Sequence, residues 1–446
     1  MLTMPIFTRL MTTEQYGLYS LYNSWLQVLT VVVTLRLTYA VFNKGMSKYP
    51  GDRDSYASTM QSLTSIIGLL FLAMYLVMRG WVNAITGLST LITLAMFCEV
   101  LLMPAISFWM ARIRYDFKYK PIVLVTVLMA AGNAVLGALA VILSEDKATA
   151  RILSAVFVHV AIGAALYVRN LQKAGGRFVP EYARFALAFN APLLPHYLSM
   201  YALDSFDRVM VAKMVGLSAA ALYGVAYNIG LIMKIVADSI SNAMVPWQYR
   251  QLAQGDLRAV ERRWYPILLF VGALVIAFVA VAPEMVAILG GSKYLEAIYV
   301  IPPVAVSVPL ILAYTMFANV ELHYDANKFM MYASVVAAAA NVGLNLVLIP
   351  QFGYLAAAYT TLFCYFGLAV GHFLYVDYVV RKNSGGRRVL HPTRLLAMCA
   401  GLIVAAGFLT GMYEFPVARY VMVLAVCAAL IVKRNDIKTL FGGVAE

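Results

Sequence analysis

Charge is what this chain has least of. Lysine, arginine, aspartate and glutamate make up 12% of its 446 residues, and 63% are hydrophobic. Soluble domains carry about a quarter charged residues. No soluble core buries this much apolar side chain, so lipid is the solvent for most of the surface. Cysteine is also sparse. Cys98, Cys364, Cys399 and Cys427 stand in apolar stretches without CxxC spacing. That pattern reads as small packing residues rather than a disulfide framework. A P-loop is missing, so ATP is not the direct driver and no cofactor is expected. No metal-ligand cluster or nucleophile–base spacing appears, and no long outward-facing loop offers room for a second substrate. The chain is therefore read as a non-enzyme.

Long apolar runs are abundant. They lie near 16–42, 57–80, 84–109, 121–143, 150–169, 185–212, 217–245, 264–289, 297–321, 329–350, 353–378, 392–411 and 415–432. Each has roughly the 20 residues that a spanning helix needs. Continuous runs of this kind specify helices, because backbone groups in hydrocarbon must pair within their own segment. The expected fold is an all-α membrane protein with about thirteen full spans. A short apolar stub at 1–10 precedes them and reads as a truncated first helix. Most of the 34 lysines and arginines gather in alternate loops. This positive-inside bias predicts a multi-pass protein of the inner (cytoplasmic) membrane with both termini cytoplasmic. Basic loops facing anionic headgroups account for the net charge of +13 without nucleic acid. The polar stretch 248–264 is expected to form a short surface helix.

A repeat lies within the chain. "GLYSLYN" (Gly17–Asn23) aligns with "ALYGVAY" (Ala221–Tyr227), with Leu18 over Leu222 and Tyr19 over Tyr223. Each stretch opens a helix after an outward loop, with six helices between them. The expected organisation is two pseudo-symmetric six-helix bundles around a central cavity plus two C-terminal helices. The boundaries are 1–183 for the N-terminal bundle, 184–380 for the C-terminal bundle, and 381–446 for the extra helices and cytoplasmic tail. Repeats of this kind place binding sites at the interface between halves.

Four segments carry a family resemblance. "PIFTRLMTTEQYGLYS" (5–20), "LDSFDRVMVAKMVGLSAAALYGVAYNIG" (203–230), "SNAMVPWQYRQLAQGD" (241–256) and "NLVLIPQFGYLAAAYTTL" (345–362) occur in this order. Together they resemble the bacterial oligosaccharide and polysaccharide flippases of O-antigen type. That family belongs with lipid II flippases and multidrug exporters in one superfamily of two six-helix halves. Members generally carry a full first helix upstream of "PIFTRL". The resemblance implies transport of an undecaprenyl-pyrophosphate-linked oligosaccharide and, as in lipid II flippases, basic residues in the cavity helices.

Three basic residues remain outside the loops: Arg36, Arg208 and Lys234. Among the acids, Glu99, Asp204, Asp207 and Asp238 fall inside apolar segments. Intramembrane charges usually face a wet cavity or a partner. Arg36 and Lys234 lie in the matched second and eighth helices. Facing each other across a cavity they would suit a pyrophosphate, one as a planar fork of donors and the other as a point charge. A purely structural role competes: Lys234 and Asp238 stand at i, i+4, as do Asp204 and Arg208. Arg36 has no acid at such spacing, and Glu99 of the fourth helix is a candidate partner. Asp204, Asp207, Arg208, Asp238 and Glu99 are candidates for the cavity, a gate or ion coupling. Pro192 and Pro195 are expected to kink the seventh helix.

The function these readings favour is a flippase moving a lipid-linked oligosaccharide to the outer leaflet by alternating access, for lipopolysaccharide or other surface polysaccharide synthesis. Direction would come from a proton or sodium gradient, or from withdrawal of product by a polysaccharide polymerase. A multidrug or cation exporter of the same superfamily is the alternative.

Overall fold

The computed structural model describes residues 3–326, 328–384, 386 and 388–432. The described residues are helical, without strands, and ten of the helices or merged helix pairs are long and apolar enough to cross a bilayer. The chain divides into two compact units, Leu2–Ala221 and Leu222–Glu446.

The first unit opens with α1 (Met4–Leu10) and α2 (Thr13–Thr34). At seven residues, α1 rises about 10 Å, a third of the hydrocarbon core. The N-terminus of α2 is fixed by a capping box. Thr12 Oγ1 accepts from the Gln15 backbone amide, and the Gln15 side chain accepts from the Thr12 amide. Beyond a break come α3 (Ala40–Lys48), α4 (Arg53–Thr86), α5 (Thr90–Arg114), α6 (Tyr119–Leu143) and α7 (Lys147–Lys173). The long α4 bends at Met78, whose backbone leaves helical geometry. The unit continues through α8 (Pro180–Asn190), α9 (Leu194–Tyr201) and α10 (Asp207–Met214).

In lipid the tails are as apolar as leucine, so helices associate through close packing and polar contacts rather than hydrophobic burial. Small residues supply the closeness. A Cβ on Gly163 of α7 would come within 2.6 Å of the Leu102 carbonyl oxygen of α5. A Cβ on Gly17 of α2 would overlap the Leu217 carbonyl. Polar pairs supply the rest. Asn170 of α7 donates to Gln61 Oε1 (2.7 Å) and to the Ala105 carbonyl (3.1 Å), which joins α4, α5 and α7.

The second unit begins within α11 (Leu217–Gly230) and continues through α12 (Ile232–Ala253), α13 (Leu257–Ala280) and α14 (Ala282–Leu289). A 3₁₀ stretch, Ser292–Val300, leads into α15 (Ile301–His323), followed by α16 (Lys328–Phe352), α17 (Tyr354–Asn383), α18 (Pro392–Gly411) and α19 (Pro416–Val432). α15 is the hub: nearly all its side chains from Ile301 to Phe317 are buried. α16 and α17 are tied by a buried amide–hydroxyl chain. Asn345 donates to Asn341 Oδ1 (3.2 Å), Asn341 donates to Thr361 (3.1 Å), and Thr360 donates to Asn345 Oδ1.

Several long apolar segments differ from their sequence reading. Run 16–42 breaks after Thr34, run 217–245 breaks at Leu231, and run 264–289 breaks at Val281. Run 185–212 is three helices joined by a 3₁₀ turn at Ala191–Leu193 and a π-helical stretch at Ala202–Phe206. The kink expected at Pro192 and Pro195 is thus a change of helix type. Hydropathy registers lipid contact and is blind to backbone breaks that leave composition unchanged. The surface helix expected over 248–264 is absent: α12 runs on to Ala253, and α13 starts at Leu257 with Asp256 as its cap. All four cysteines are free. Cys364 and Cys399 are buried as expected of packing residues, whereas Cys98 and Cys427 are exposed.

Candidate functional site

The break after α2 is the most unusual backbone in the first unit. The run Val31–Val32–Val33–Thr34 ends the helix, and Leu35 and Arg36 both turn left-handed, with φ of 47° and 53°. For L-residues with side chains this costs roughly 1–2 kcal/mol each, and such strain gathers at functional sites. Local bonds hold it. The Arg36 amide meets Thr34 Oγ1 at 3.2 Å, the Tyr39 amide donates to the Arg36 carbonyl at 3.0 Å, and Asn190 Nδ2 donates to the Leu35 carbonyl at 2.6 Å.

The Arg36 guanidinium is held by rings rather than by acids. Its central carbon lies 5.7 Å from the ring centroid of Tyr39, 5.8 Å from Tyr197 and 5.6 Å from Tyr201. These are cation–π distances. Its Nε is buried without a hydrogen-bond partner, and among the described residues it has no carboxylate partner. Tyr39 is 60% exposed, so the cage is open on one side. Arg36, read as lying inside a continuous helix, sits instead at the break.

Glu99 is not the partner of Arg36. Its Oε2 accepts from the Tyr22 hydroxyl at 2.6 Å, and its Oε1 lies 2.6 Å from Nδ1 of His159 on α7. His159 in turn meets Asn133 of α6 at 3.2 Å. The carboxylate is consumed within a four-residue chain that crosses α2, α5, α7 and α6. Asp204 lies in the π-helical stretch at Ala202–Phe206. Asp207 and Arg208 are buried at the start of α10.

Lys234 and Asp238 belong to the second unit. Lys234 is in the first turn of α12, directly after the break at Leu231, and its amide donates to the Leu231 carbonyl at 3.0 Å. Its Nζ is 2.9 Å from Asp238 Oδ2. The side chains are 30% and 53% exposed, so solvent screens the pair. Arg36 and Lys234 therefore each stand at a helix break. One is free of acids and the other is shared with an acid on its own helix.

Sequence reasoning missed four groups, three of them buried and His159 half-buried. Arg151, placed in an outward loop, is 3% exposed within α7; its Nη2 donates to the Tyr19 hydroxyl at 3.1 Å, and it stacks 4.0 Å over Phe7. It lies at the very edge of the apolar run 150–169, where a basic residue reads as loop. His159, Glu321 and His372 were missed because histidines were counted as neutral and Glu321 fell on a segment edge. Among the described residues no group of three or more His, Cys, Asp and Glu side chains suits a metal ion.

The family described as polysaccharide biosynthesis protein matches residues 1–250. The Lsg locus putative protein 1 of Haemophilus influenzae is 25% identical over 160 residues, a match covering 34% of this chain and 39% of that protein. The chain thus aligns with about two fifths of that relative's length. Among solved structures, the lipid II flippase MurJ in an inward closed conformation superposes with a TM-score of 0.70 at 12% identity, covering 97% of each chain. An inward-facing multidrug resistance MATE transporter of the MOP superfamily gives 0.64 at 15% identity, covering 85% of this chain and 94% of that one. A MOP superfamily transporter from Pyrococcus furiosus gives 0.56 at 14% identity, covering 85% and 91%. At these identities the likeness is one of fold. The chain has ten helices long and apolar enough to cross a membrane and shares the fold of these solved structures.

Proposed function

This chain belongs to the polysaccharide biosynthesis protein family, and on that premise we propose that it flips an undecaprenyl-pyrophosphate-linked oligosaccharide. The lipid-linked sugar passes from the cytoplasmic to the outer leaflet of the inner membrane, to feed synthesis of a surface polysaccharide. One observation carries the reading: Arg36 sits on a strained helix break, caged by three tyrosines and without an acid. A cation kept in a membrane protein without a counter-charge is suited to an anion that visits.

The chemistry follows from the side chains. A pyrophosphate diester presents several oxygens to the planar fork of a guanidinium. The tyrosine rings hold the fork without neutralising it, and the exposed Tyr39 ring suits the sugar next to the phosphate. In the second unit, Lys234 carries a further positive charge, shared with Asp238. The lipid tail stays in the bilayer while the head crosses by alternating access of the two six-helix halves. A proton or sodium gradient, or withdrawal by a polymerase, sets the direction.

The test is complementation. A strain lacking its own copy receives wild type, Arg36→Lys or Arg36→Ala, and surface polysaccharide is measured at matched protein levels. Arg36→Ala is expected to lose at least tenfold in polysaccharide and Arg36→Lys to lose less. Wild-type polysaccharide with Arg36→Ala removes Arg36 from substrate recognition. Loss of drug tolerance with normal polysaccharide would favour an exporter.

A further inference from the structure

The second unit contains a pair of titratable groups that the transport reading does not use. Glu321 lies near the end of α15 and His372 lies within α17. Glu321 Oε1 is 2.6 Å from His372 Nδ1, and both side chains are fully buried. The outer atoms of the pair, Glu321 Oε2 and His372 Nε2, have no hydrogen-bond partner. The imidazole is bracketed by Tyr314, with ring centroids 4.9 Å apart, and by Phe329 of α16 at 5.2 Å.

The first unit provides an internal control. Glu99 and His159 meet at the same 2.6 Å, but Tyr22 and Asn133 satisfy the outer atoms of that pair. Glu321 and His372 keep an open position at each end. A buried polar atom without a partner costs free energy and calls for an explanation.

Charges on the surrounding elements are engaged elsewhere or exposed. On α17, Asp377 is paired with Arg381 at 3.1 Å and with Arg388 at 3.5 Å. On α13, Arg263 stacks on Trp247, Glu261 meets Arg394 of α18, and Arg258 and Arg262 face away. On α12, Lys234 holds Asp238, and Arg250 is exposed. Lys328 of α16 is exposed, as are Lys293 and Glu296 of the 3₁₀ stretch. His323, on α15 itself, packs against Tyr249 and Tyr324, and Tyr375 stacks on Phe329. Among the described residues, Glu321 and His372 hydrogen-bond only each other.

Charge balance then fixes the proton count. In a dry interface the pair is neutral as carboxylate with imidazolium, or as carboxylic acid with imidazole, and either form holds one proton. Gaining or losing a proton there leaves a net charge out of reach of water, which is costly. Once water reaches the open positions, carboxylate with neutral imidazole is the ordinary state near pH 7. We propose that Glu321 and His372 form a proton-binding site between α15 and α17, holding one proton while the interface is dry and releasing it when water enters. In the release step the imidazolium N–H bond, or the carboxylic O–H bond, breaks; its electron pair stays on the nitrogen or oxygen, and the proton passes to water. The inference relies on the transport reading only for the motion that opens the interface; proton binding itself needs no substrate.

The experiment uses the full chain, labelled with ¹⁵N-histidine, in lipid nanodiscs. There are five histidines, and His372→Gln identifies the signal of His372. NMR spectra are followed from about pH 5 to about pH 9, the span in which histidine charge changes. The His372 signal is expected to titrate in wild type, and Glu321→Gln is expected to shift its midpoint while the other signals stay in place. Glu321→Asp serves as a second variant that keeps the carboxylate but draws it back, and it too should move the midpoint. A His372 signal that never changes charge, or one identical in wild type and both variants, overturns the proposal. Arg36→Ala should leave this titration intact. If Arg36→Ala also makes normal polysaccharide, the substrate reading fails while the proton site stands.

Discussion

The side-chain amide of Asn190 donates a 2.6 Å hydrogen bond to the carbonyl of Leu35, so α8 reaches across to close the backbone gap at the end of α2. The break leaves that carbonyl without an intrahelical partner, and in hydrocarbon such a group costs several kcal/mol. Asn190 thus makes a strained turn tolerable at the residue before Arg36. Asn190→Leu keeps the size and removes the donor. It should lower stability by about 1–3 kcal/mol, read as a fall in the thermal midpoint of the detergent-solubilised protein. Surface polysaccharide should fall more than stability alone explains, because the Arg36 backbone is no longer held. Equal stability in wild type and variant would show that the turn is supported by other means.

The Lys234–Asp238 pair bears on which cation is available. An exposed i, i+4 pair contributes about 0.3–0.5 kcal/mol, so Asp238→Asn should leave the fold intact and free the ammonium. Calorimetric titration with inorganic pyrophosphate should then show affinity raised about twofold in Asp238→Asn and reduced in Lys234→Met. Identical affinities in wild type and Lys234→Met would show that Lys234 does not bind phosphate.

The Glu99 chain is structural in its geometry. Every atom of the carboxylate–imidazole pair has a partner, and the chain crosses four helices of the first unit. Glu99→Ala strands the Tyr22 hydroxyl and the His159 ring together. At about 1–3 kcal/mol for each buried group left unpaired, it should destabilise more than Tyr22→Phe, which removes one bond and leaves one acceptor. Thermal unfolding of the two variants in the same detergent gives the order. The reverse order would mean that the acid is not the centre of the chain.

The membrane class and the likeness to the flippase family were legible in the sequence, because both rest on composition, run length and segment order. The site was legible only in part. Arg36 and Lys234 stand out as charges in apolar runs, but the breaks beside them are invisible to hydropathy: Leu35 and Leu231 are as apolar as any helix interior. The tyrosine cage is hidden for a related reason. Tyr197 and Tyr201 lie about 160 residues from Arg36 in the sequence, and only the folded first unit brings them to it. The two Glu–His pairs escaped because each joins side chains more than fifty residues apart on different helices. Glu321 also sits where an apolar run ends, which reads as loop.

Close helix approach gives a prediction independent of charge. A methyl group on Gly17 would overlap the Leu217 carbonyl, which is backbone rather than the end of a flexible side chain. Gly17→Ala should therefore force α2 away from Leu217 and disturb the Thr13–Ser218 hydroxyl contact, now 3.1 Å. Overpacking typically costs about 1–3 kcal/mol, and the effect should grow with Gly17→Val.

A loop cluster carries the pH dependence of the first unit. Arg112 meets Asp54 at 2.7 Å and Asp116 at 2.8 Å. The hydrogen bond from Arg112 is the leading influence on Asp116 and holds its carboxyl below the ordinary aspartate value. A carboxyl depressed in the folded state adds stability above its unfolded pKa and loses it as pH falls through the folded one. The cluster's contribution should thus be complete at neutral pH and fade below about pH 4. Because both side chains are partly exposed, it should amount to no more than about 1 kcal/mol. Arg112→Gln should lower the thermal midpoint at pH 7 and, by releasing Asp116 toward its ordinary value, leave a smaller difference from wild type in acid. A gap between the two proteins that widens on acidification would mean that the arginine stabilises the loop by packing its stem rather than through its charge.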